Sequence, residues 1–207
     1  QKRSYKMKKS IAVLAVILLM IGNVGCRADI NAELDKRFKD IESYSACVTV
    51  TVLGNGKSES FKMQQTWKAP DKYKSEITEP EHMKGTVSVI NSDGIWLKIG
   101  DASPVRMEQG TESMNTEYMF ISDFLKDYYA EEHADKLVED SEGKVMLNAS
   151  TRGTNKKRFT QNLSVDVRHK YMPDKLQTFD SKGNEVLRVE FEKFTPNIKI
   201  DDSEFNL

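Results

Sequence analysis

The apolar positions between residues 32 and 99 follow two spacings, which predict two kinds of element. From Ala32 to Ser45, large apolar side chains recur every three or four positions, the spacing that places them on one face of a helix. These side chains are Leu34, Phe38, Ile41 and Tyr44. From Ala46 onward apolar and polar residues alternate, as in a strand with one buried face. The sequence therefore predicts an amphipathic helix followed by strands.

Turn residues separate the predicted strands. The predicted strands cover residues 46–53, 61–67, 72–78, 86–90 and 95–99, and the Asp93-Gly94 pair between the last two predicts a tight hairpin. The strands have one apolar and one polar face, which indicates an antiparallel sheet with one solvated side.

A long polar stretch from Asp101 to Asn115 interrupts this pattern. It is rich in small residues and predicts a loop, not a strand or a helix. Loops of this length inside compact domains are usually functional or mobile. We therefore predict that it binds a partner, with Asp101, Arg106 and Glu108 as candidate contact residues, and that truncating it weakens binding.

A second helix and a second set of strands follow. Residues 116–130 have an apolar stripe at helical spacing, and alternating runs then cover residues 144–149, 162–170, 175–179 and 186–191. Turns are predicted at residues 172–174 and 181–184. The order of elements predicts an α+β fold, in which a strongly curved antiparallel sheet, or half-barrel, has two helices packed on its concave face.

The N-terminal residues have a third pattern. Lys8 and Lys9 precede an unbroken apolar run from Ile11 to Ile21, and small residues follow it, as in an export signal. The run is shorter than the roughly 20 residues that a membrane-spanning helix needs. We therefore predict a signal peptide over residues 1–25, a leader over 26–31 and a folded domain over 32–207.

The end of the signal, Val24-Gly25-Cys26, is similar to the lipobox of bacterial lipoproteins, although Asn23 stands where Leu is usual. The resemblance implies that Cys26 carries the lipid, with acyl chains such as palmitate, and anchors the protein to the outer leaflet of a membrane. The alternative is an ordinary signal cut elsewhere, which leaves Cys26 as a free thiol.

Charge and cysteine usage narrow the function classes. Five of the 31 Lys and Arg residues precede Cys26, which leaves 26 basic against 32 acidic side chains. A mildly acidic domain is a poor nucleic-acid binder. If Cys26 is acylated, Cys47 has no disulfide partner in the chain, and its alternating surroundings predict a small buried side chain. An intermolecular disulfide or redox role is the alternative.

The residues that enzymes use for catalysis form no recognisable pattern. His82, His133 and His169 lack the spacing of a zinc site, and no Gly-x-Ser-x-Gly or phosphate-binding Gly loop is present. The acid pairs Glu131-Glu132 and Asp201-Asp202 are typical of solvated faces or caps. We therefore expect a protein that is not an enzyme and needs no cofactor.

Four segments together resemble the LolA and LolB lipoprotein-carrier superfamily. They are Phe61–Tyr73, Asp93-Gly94, Tyr171–Leu176 and Ile200–Phe205. Within that superfamily the chain is most similar to the GerS type of germination lipoproteins of endospore-forming bacteria. The resemblance implies a non-enzymatic partner of an N-acetylmuramoyl-L-alanine amidase that modifies spore cortex peptidoglycan, located in the forespore intermembrane space or spore envelope. Any zinc would belong to the amidase.

Two binding hypotheses remain open. In the first, the concave face holds lipid acyl chains against an apolar set of side chains, whereas the alternative is that the helices cover this set and it is ordinary core. The set is Phe61, Met63, Trp67, Trp96 and Phe124. In the second, the domain binds a protein through an exposed sheet edge, through the 101–115 loop, or through the polar outer face of the sheet. Lys156-Lys157-Arg158, at a predicted hairpin tip, could contact an acidic patch or a wall polymer, although a charge run on a turn is usually only solvated. Open edges also allow a homodimer by strand exchange.

Overall fold

The computed structural model describes residues 30–54, 56–107, 118–130, 138–139, 143–152 and 158–207. By its internal contacts the chain divides into two compact units, Gln1–Asp40 and Ile41–Leu207. In the first unit residues 30–38 form helix α1, on which Leu34 and Phe38 are buried. The predicted signal peptide and Cys26 lie outside the described residues.

Helix α1 is shorter than predicted. The predicted helix over residues 32–45 is wrong beyond residue 38, because strand β1 begins at Ser43. Tyr44 satisfies both patterns, since it lies three residues after Ile41 and two before Ala46. Its strand conformation prevails because β1 pairs along its length with a strand on each side, and these pairs satisfy its backbone hydrogen-bonding groups.

The second unit contains one sheet of eleven strands among its described residues. In chain order they are β1 (Ser43–Gly54), β2 (Lys57–Lys68), β3 (Lys72–Glu79), β4 (Val87–Asn91), β5 (Gly94–Lys98), β6 (Val105–Met107), β7 (Val138–Glu139), β8 (Lys144–Arg152), β9 (Arg158–Asp166), β10 (Met172–Phe179) and β11 (Glu185–Pro196). Their spatial order is β6-β5-β4-β3-β2-β1-β11-β10-β9-β8-β7, with antiparallel neighbours throughout. Two meanders are therefore joined where β1 pairs with β11.

The sheet has an inner face, which we define as the face that contacts helix α2 (Ile121–Ala130), and an opposite outer face. Alternation on β1 places Tyr44, Val48 and Val50 on the inner face, where each is at most 1% exposed. The register across the sheet carries the buried row onward through β11 and β10 to Leu163 and Leu147. The predicted fold class, an open curved antiparallel sheet with two helices, is confirmed.

Three details of the second half differ from the sequence-based expectation. The predicted helix over residues 116–130 is wrong at its start, because α2 begins only at Ile121. The predicted strand over 162–170 is wrong at its end, because β9 stops at Asp166 and a turn follows, with positive φ at Lys170 and Tyr171. The predicted turn at 172–174 is wrong as well, since Pro173 lies within β10. The register of β10 against β9 shifts between Pro173 and Lys175, and such an irregularity is where a sheet tolerates proline.

The last residues cover part of the outer face. A short 3₁₀ helix, Asp202–Phe205, lies against β3 and β4, and Phe205 is 1% exposed. Phe205 forms a buried cluster with Val89 and Ile200, so the outer face has a small apolar core of its own at this end of the sheet.

Candidate functional site

Four of the five side chains predicted to line an apolar pocket are buried in the structure. Phe61, Met63 and Trp67 alternate along the inner face of β2, and none is more than 8% exposed. Phe124, on α2, is fully buried. These side chains belong to the core of the second unit, and their contact with a lipid stays a prediction.

Trp96, the fifth candidate, lies on the opposite face. The register pairs Tyr73 with Ile90 and Ile90 with Ile95, which keeps both isoleucines on the inner face. Trp96 therefore points outward with its partner Val89, where it packs on the cluster that contains Phe205. The prediction that Trp96 shares a face with the other four is wrong, because the apolar run Ile95-Trp96-Leu97 carries no alternation that assigns a face.

Two buried glutamines bind the backbone just before α2. Gln65 Nε2 donates to the carbonyl of Met119 at 3.1 Å, and Gln161 Nε2 donates to that of Tyr118 at 3.3 Å. Both side chains lie on the inner face and are at most 1% exposed. Neither glutamine was among the residues predicted from the sequence, although a polar residue at an inward position of the β2 alternation was a usable signal.

A tyrosine on β3 makes a third polar contact with α2. The Tyr73 hydroxyl donates to Asp123 Oδ1 at 2.7 Å, and its ring packs edge-on against Phe120 at 4.9 Å. Burial, and secondly the Asp123 carboxylate, raise the pKa of Tyr73 well above its usual range. Burial also raises the pKa of Tyr44. Both hydroxyls therefore remain protonated at neutral pH and are suited to hydrogen bonding, not to proton transfer.

The adjacent acids near the C-terminus have structural partners. Asp201 accepts a hydrogen bond from the Ser203 N–H at 2.9 Å and caps the 3₁₀ helix, and this bond lowers the pKa of Asp201. Asp202 lies 2.6 Å from Lys68 Nζ and 3.0 Å from Lys72 Nζ, and the bond to Lys68, followed by that to Lys72, lowers its pKa. The prediction that these acids cap a turn or lie on a solvated face is confirmed, since Asp201 is the cap and Asp202 is exposed.

The histidines are not grouped with other metal ligands. His82 is exposed in a 3₁₀ helix, Glu81–Met83. His169 lies in the turn after β9, not in the predicted strand, with Nδ1 2.7 Å from Asp166 Oδ2. Among the residues that the structure describes, no group of three or more His, Cys, Asp or Glu is placed to hold a metal ion. His133 and Glu131-Glu132 lie outside those residues.

Cys47 lies on the outer face and is half-buried. Its Sγ donates to Gln64 Oε1 at 2.9 Å, and Gln64 Nε2 donates to Ser45 Oγ at 2.6 Å. The prediction of a buried apolar cysteine is wrong, because the parity of β1 places Ala46 and Val48 inward and Cys47 outward.

The predicted 101–115 loop contains the edge strand β6. Asp101 is exposed in a turn, Arg106 is exposed on β6, and Glu108 lies outside the described residues. The prediction of an uninterrupted loop is therefore wrong for Val105–Met107, which pairs with β5. Lys156 and Lys157 also lie outside the described residues, whereas Arg158 begins β9.

The β5–β6 end of the sheet also exposes apolar side chains. Val105 is 60% exposed and Ile99, just after β5, is 62% exposed. Arg106 forms no ion pair with any other described residue. A strand edge, exposed apolar side chains and a cation without an ion pair to any described residue thus occur together here.

In the part of the chain with described coordinates, no helix is both long and apolar enough to span a membrane.

Residues 6–205 match the family described as "Sporulation protein YdcC-like". A curated relative, the sporulation protein YdcC of Bacillus subtilis (strain 168), is 21% identical over a 208-residue alignment that covers 97% of this chain. The chain spans 61% of the length of that relative.

Several solved structures have a similar fold. A putative outer membrane lipoprotein-sorting protein domain from Vibrio parahaemolyticus is 14% identical and has a TM-score of 0.49, with 86% of this chain and 95% of that chain covered. A LolA superfamily protein from Nitrosomonas europaea is 13% identical, with a TM-score of 0.47 and coverage of 87% and 97%. A chain of the Clostridioides difficile complex between the CwlD amidase and the GerS lipoprotein is 26% identical, with a TM-score of 0.43 and coverage of 84% and 95%.

Proposed function

Because the chain belongs to the YdcC-like family of sporulation proteins, we propose that it is a binding protein of the sporulating cell envelope and not an enzyme. It is exported by its N-terminal signal and held on the outer leaflet of a membrane by a lipid on Cys26. Its site of action is the forespore intermembrane space or the spore envelope.

The proposed partner is an N-acetylmuramoyl-L-alanine amidase, which the chain binds and activates for modification of spore cortex peptidoglycan and for germination. This choice follows from the sequence segments that resemble the GerS type. The GerS lipoprotein has been solved with the CwlD amidase, so an amidase is the first partner to test.

The observation that carries the binding role is the β5–β6 end of the sheet. Val105 and Ile99 expose most of their surface, and Arg106 is exposed beside them. Exposed apolar side chains at an unpaired strand edge favour association with another chain. The described carboxyls with lowered pKa values, by contrast, bind neighbouring side chains or cap turns, as Glu185 does with Arg188 at 2.6 Å.

The test is an amidase assay with the amidase of the same organism. We expect the full chain to co-purify with that amidase from sporulating cells. We also expect its addition to raise the release of peptide side chains from purified peptidoglycan by about tenfold, the scale of a coupling free energy of 1–3 kcal/mol. Heat-denatured chain is the control. Unchanged release at saturating concentrations of the folded chain would contradict the activator role.

Lipid binding is the second candidate function, and one observation favours it. Val105, on the inner side of β6, is apolar and largely exposed, as a surface that takes acyl chains would be. If this candidate is correct, native mass spectrometry of the chain from its own membrane will show bound lipid near one equivalent in addition to the covalent anchor. Recovery of lipid-free chain together with amidase would favour the first candidate.

A further inference from the structure

Strand β6 lies at one end of the described sheet. The alternation of backbone hydrogen bonds shows which residue of β6 directs its N–H and C=O away from β5. The two-residue turn Ser92-Asp93 makes Asn91 and Gly94 a hydrogen-bonded pair. In antiparallel sheets such pairs alternate along the strand, so Ile95 and Leu97 direct their N–H and C=O groups toward β6. Their partners on β6 are Met107 and Val105.

Arg106 lies between those two partners, opposite Trp96. By the same alternation its N–H and C=O point away from β5, toward the side on which no described strand follows. Pro104, just before β6, has no N–H to donate. The free edge therefore offers one well-placed donor and acceptor pair, both on Arg106.

The side chain of Arg106 adds a positive charge at the same position. The Arg106 side chain lies on the outer face, directly over Gly94. A Cβ added to Gly94 would be 3.0 Å from Arg106 Nε. Lys98 is on the same face of the neighbouring strand, and neither cation forms an ion pair with another described residue. Two cations therefore lie on the outer side of this edge without an ion-pair partner among the described residues.

The inner side of the edge is apolar. Val105 and Met107 both point to this side, with Val105 60% exposed and Met107 half-buried. A strand added to β6 would place the residue opposite Arg106 on the outer face and that residue's two neighbours on the inner face. The outer and inner faces of the added strand therefore favour different side chains.

We propose that β6 is the docking strand for an extended segment of the partner protein, which pairs with the backbone of Arg106. The segment carries an Asp or Glu beside the Arg106 guanidinium and an apolar residue on each side of that acid, against Val105 and Met107. This inference rests on the proposed function, because it specifies how the amidase would be held.

Two substitutions at one position separate backbone pairing from charge. Arg106→Ala removes the guanidinium and keeps the N–H, whereas Arg106→Pro also removes the N–H that points away from β5. Proline is tolerated on such an edge. We expect Arg106→Pro to bind the amidase about fivefold more weakly than Arg106→Ala, the effect of one lost hydrogen bond. We expect Arg106→Glu to bind the amidase at least about tenfold more weakly than the wild type, because the new glutamate repels the acid of the segment.

The matched control is Lys193→Glu, the same charge reversal on the outer face of β11, far from β6 in the strand order. It should bind as the wild type does. The wild type is also tested directly by hydrogen exchange. Exchange of the Arg106 amide in the full chain should slow at least about tenfold when the amidase is added, because the amide becomes hydrogen-bonded.

The outcomes separate the two proposals. If the wild type binds the amidase but Arg106→Pro equals Arg106→Ala and the Arg106 amide is not protected, the edge inference is overturned and the proposed function stands. If the wild type does not bind, both are overturned. Protection of the Arg106 amide in concentrated protein without amidase would identify a second copy of the chain as the occupant, and it too would overturn the inference.

Discussion

At the scale of single residues, Tyr73 links the sheet to helix α2. Its hydroxyl reaches the Asp123 carboxylate at 2.7 Å, and its ring lies against Phe120. A hydrogen bond to a charged group that is partly removed from water stabilises a fold more than a neutral one does. The bond fixes the first turn of α2 on β3.

Removal of this hydroxyl should be measurable. We expect Tyr73→Phe to lower the free energy of unfolding by about 1–2 kcal/mol in urea denaturation at neutral pH. In an Asp123→Ala background the same substitution should cost less than about 0.5 kcal/mol, because the partner is absent. Equal losses in both backgrounds would show that the bond does not contribute.

The difference in unfolding free energy between the wild type and Tyr73→Phe should also depend on pH. The raised pKa of Tyr73 means that the folded state holds this proton more tightly than the unfolded state, whose value is about 10. The stabilisation is therefore complete below about pH 10 and is lost as the pH rises above it. The difference in unfolding free energy between the wild type and Tyr73→Phe should shrink as the pH is raised from 9 to about 11.

At the scale of elements, the 3₁₀ helix Asp202–Phe205 is attached to the outer face by both apolar and polar contacts. Phe205 fills the cluster with Val89 and Ile200, and its carbonyl accepts from Asn91 Nδ2 at 2.9 Å. Lys74 pairs with Glu204 at 3.0 Å. The exposed ion pairs stabilise this segment little, so the buried phenyl ring is the main contribution.

Phe205→Ala tests that ranking. We expect it to lower the free energy of unfolding by about 3 kcal/mol, because it deletes a buried phenyl ring. It should also speed trypsin cleavage after Lys199. Leu207→Ala is the control, since Leu207 is 42% exposed, and it should change the unfolding free energy by less than about 0.5 kcal/mol. Similar effects of the two substitutions would contradict the role given to Phe205.

At the scale of the whole molecule, the second unit is built from two meanders joined between β1 and β11. The first meander ends at β6 and the second at β7, so the described sheet has two edges. The β6 edge carries the exposed apolar and cationic side chains on which the docking proposal rests.

The anchor itself is testable with the two cysteines of the chain. We expect the full chain, expressed in sporulating cells, to partition into the detergent phase of a Triton X-114 extraction, because two acyl chains give stable membrane association. Cys26→Ala should move it to the aqueous phase, and Cys47→Ala should not. Detergent-phase recovery of Cys26→Ala would contradict lipidation at Cys26.

The sequence by itself determined most of the elements and the fold class. Alternation on β1, β2 and β3 separates inward from outward residues, because a strand directs successive side chains to opposite faces. The hairpin between β4 and β5 and the apolar stripe of α2 were likewise predictable from local chemistry, although the turn residues are Ser92-Asp93 and not the predicted Asp93-Gly94. The capping role of Asp201 was also predictable, because an acid commonly accepts a hydrogen bond from the N–H two residues later, here that of Ser203.

Only the tertiary structure decided which face each ambiguous residue occupies and where the free edge lies. Trp96 follows one apolar residue and precedes another, so its face depends on the register that β3 and β4 impose on β5. The outward position of Cys47, by contrast, follows from the alternation of β1 itself, because Ala46 and Val48 point inward. Arg106 lies in a polar stretch without strand periodicity, and it joins the sheet because β5 supplies hydrogen-bonding partners on both sides of it. Register and edge position are relations between distant segments, and the local pattern of a single segment does not contain them.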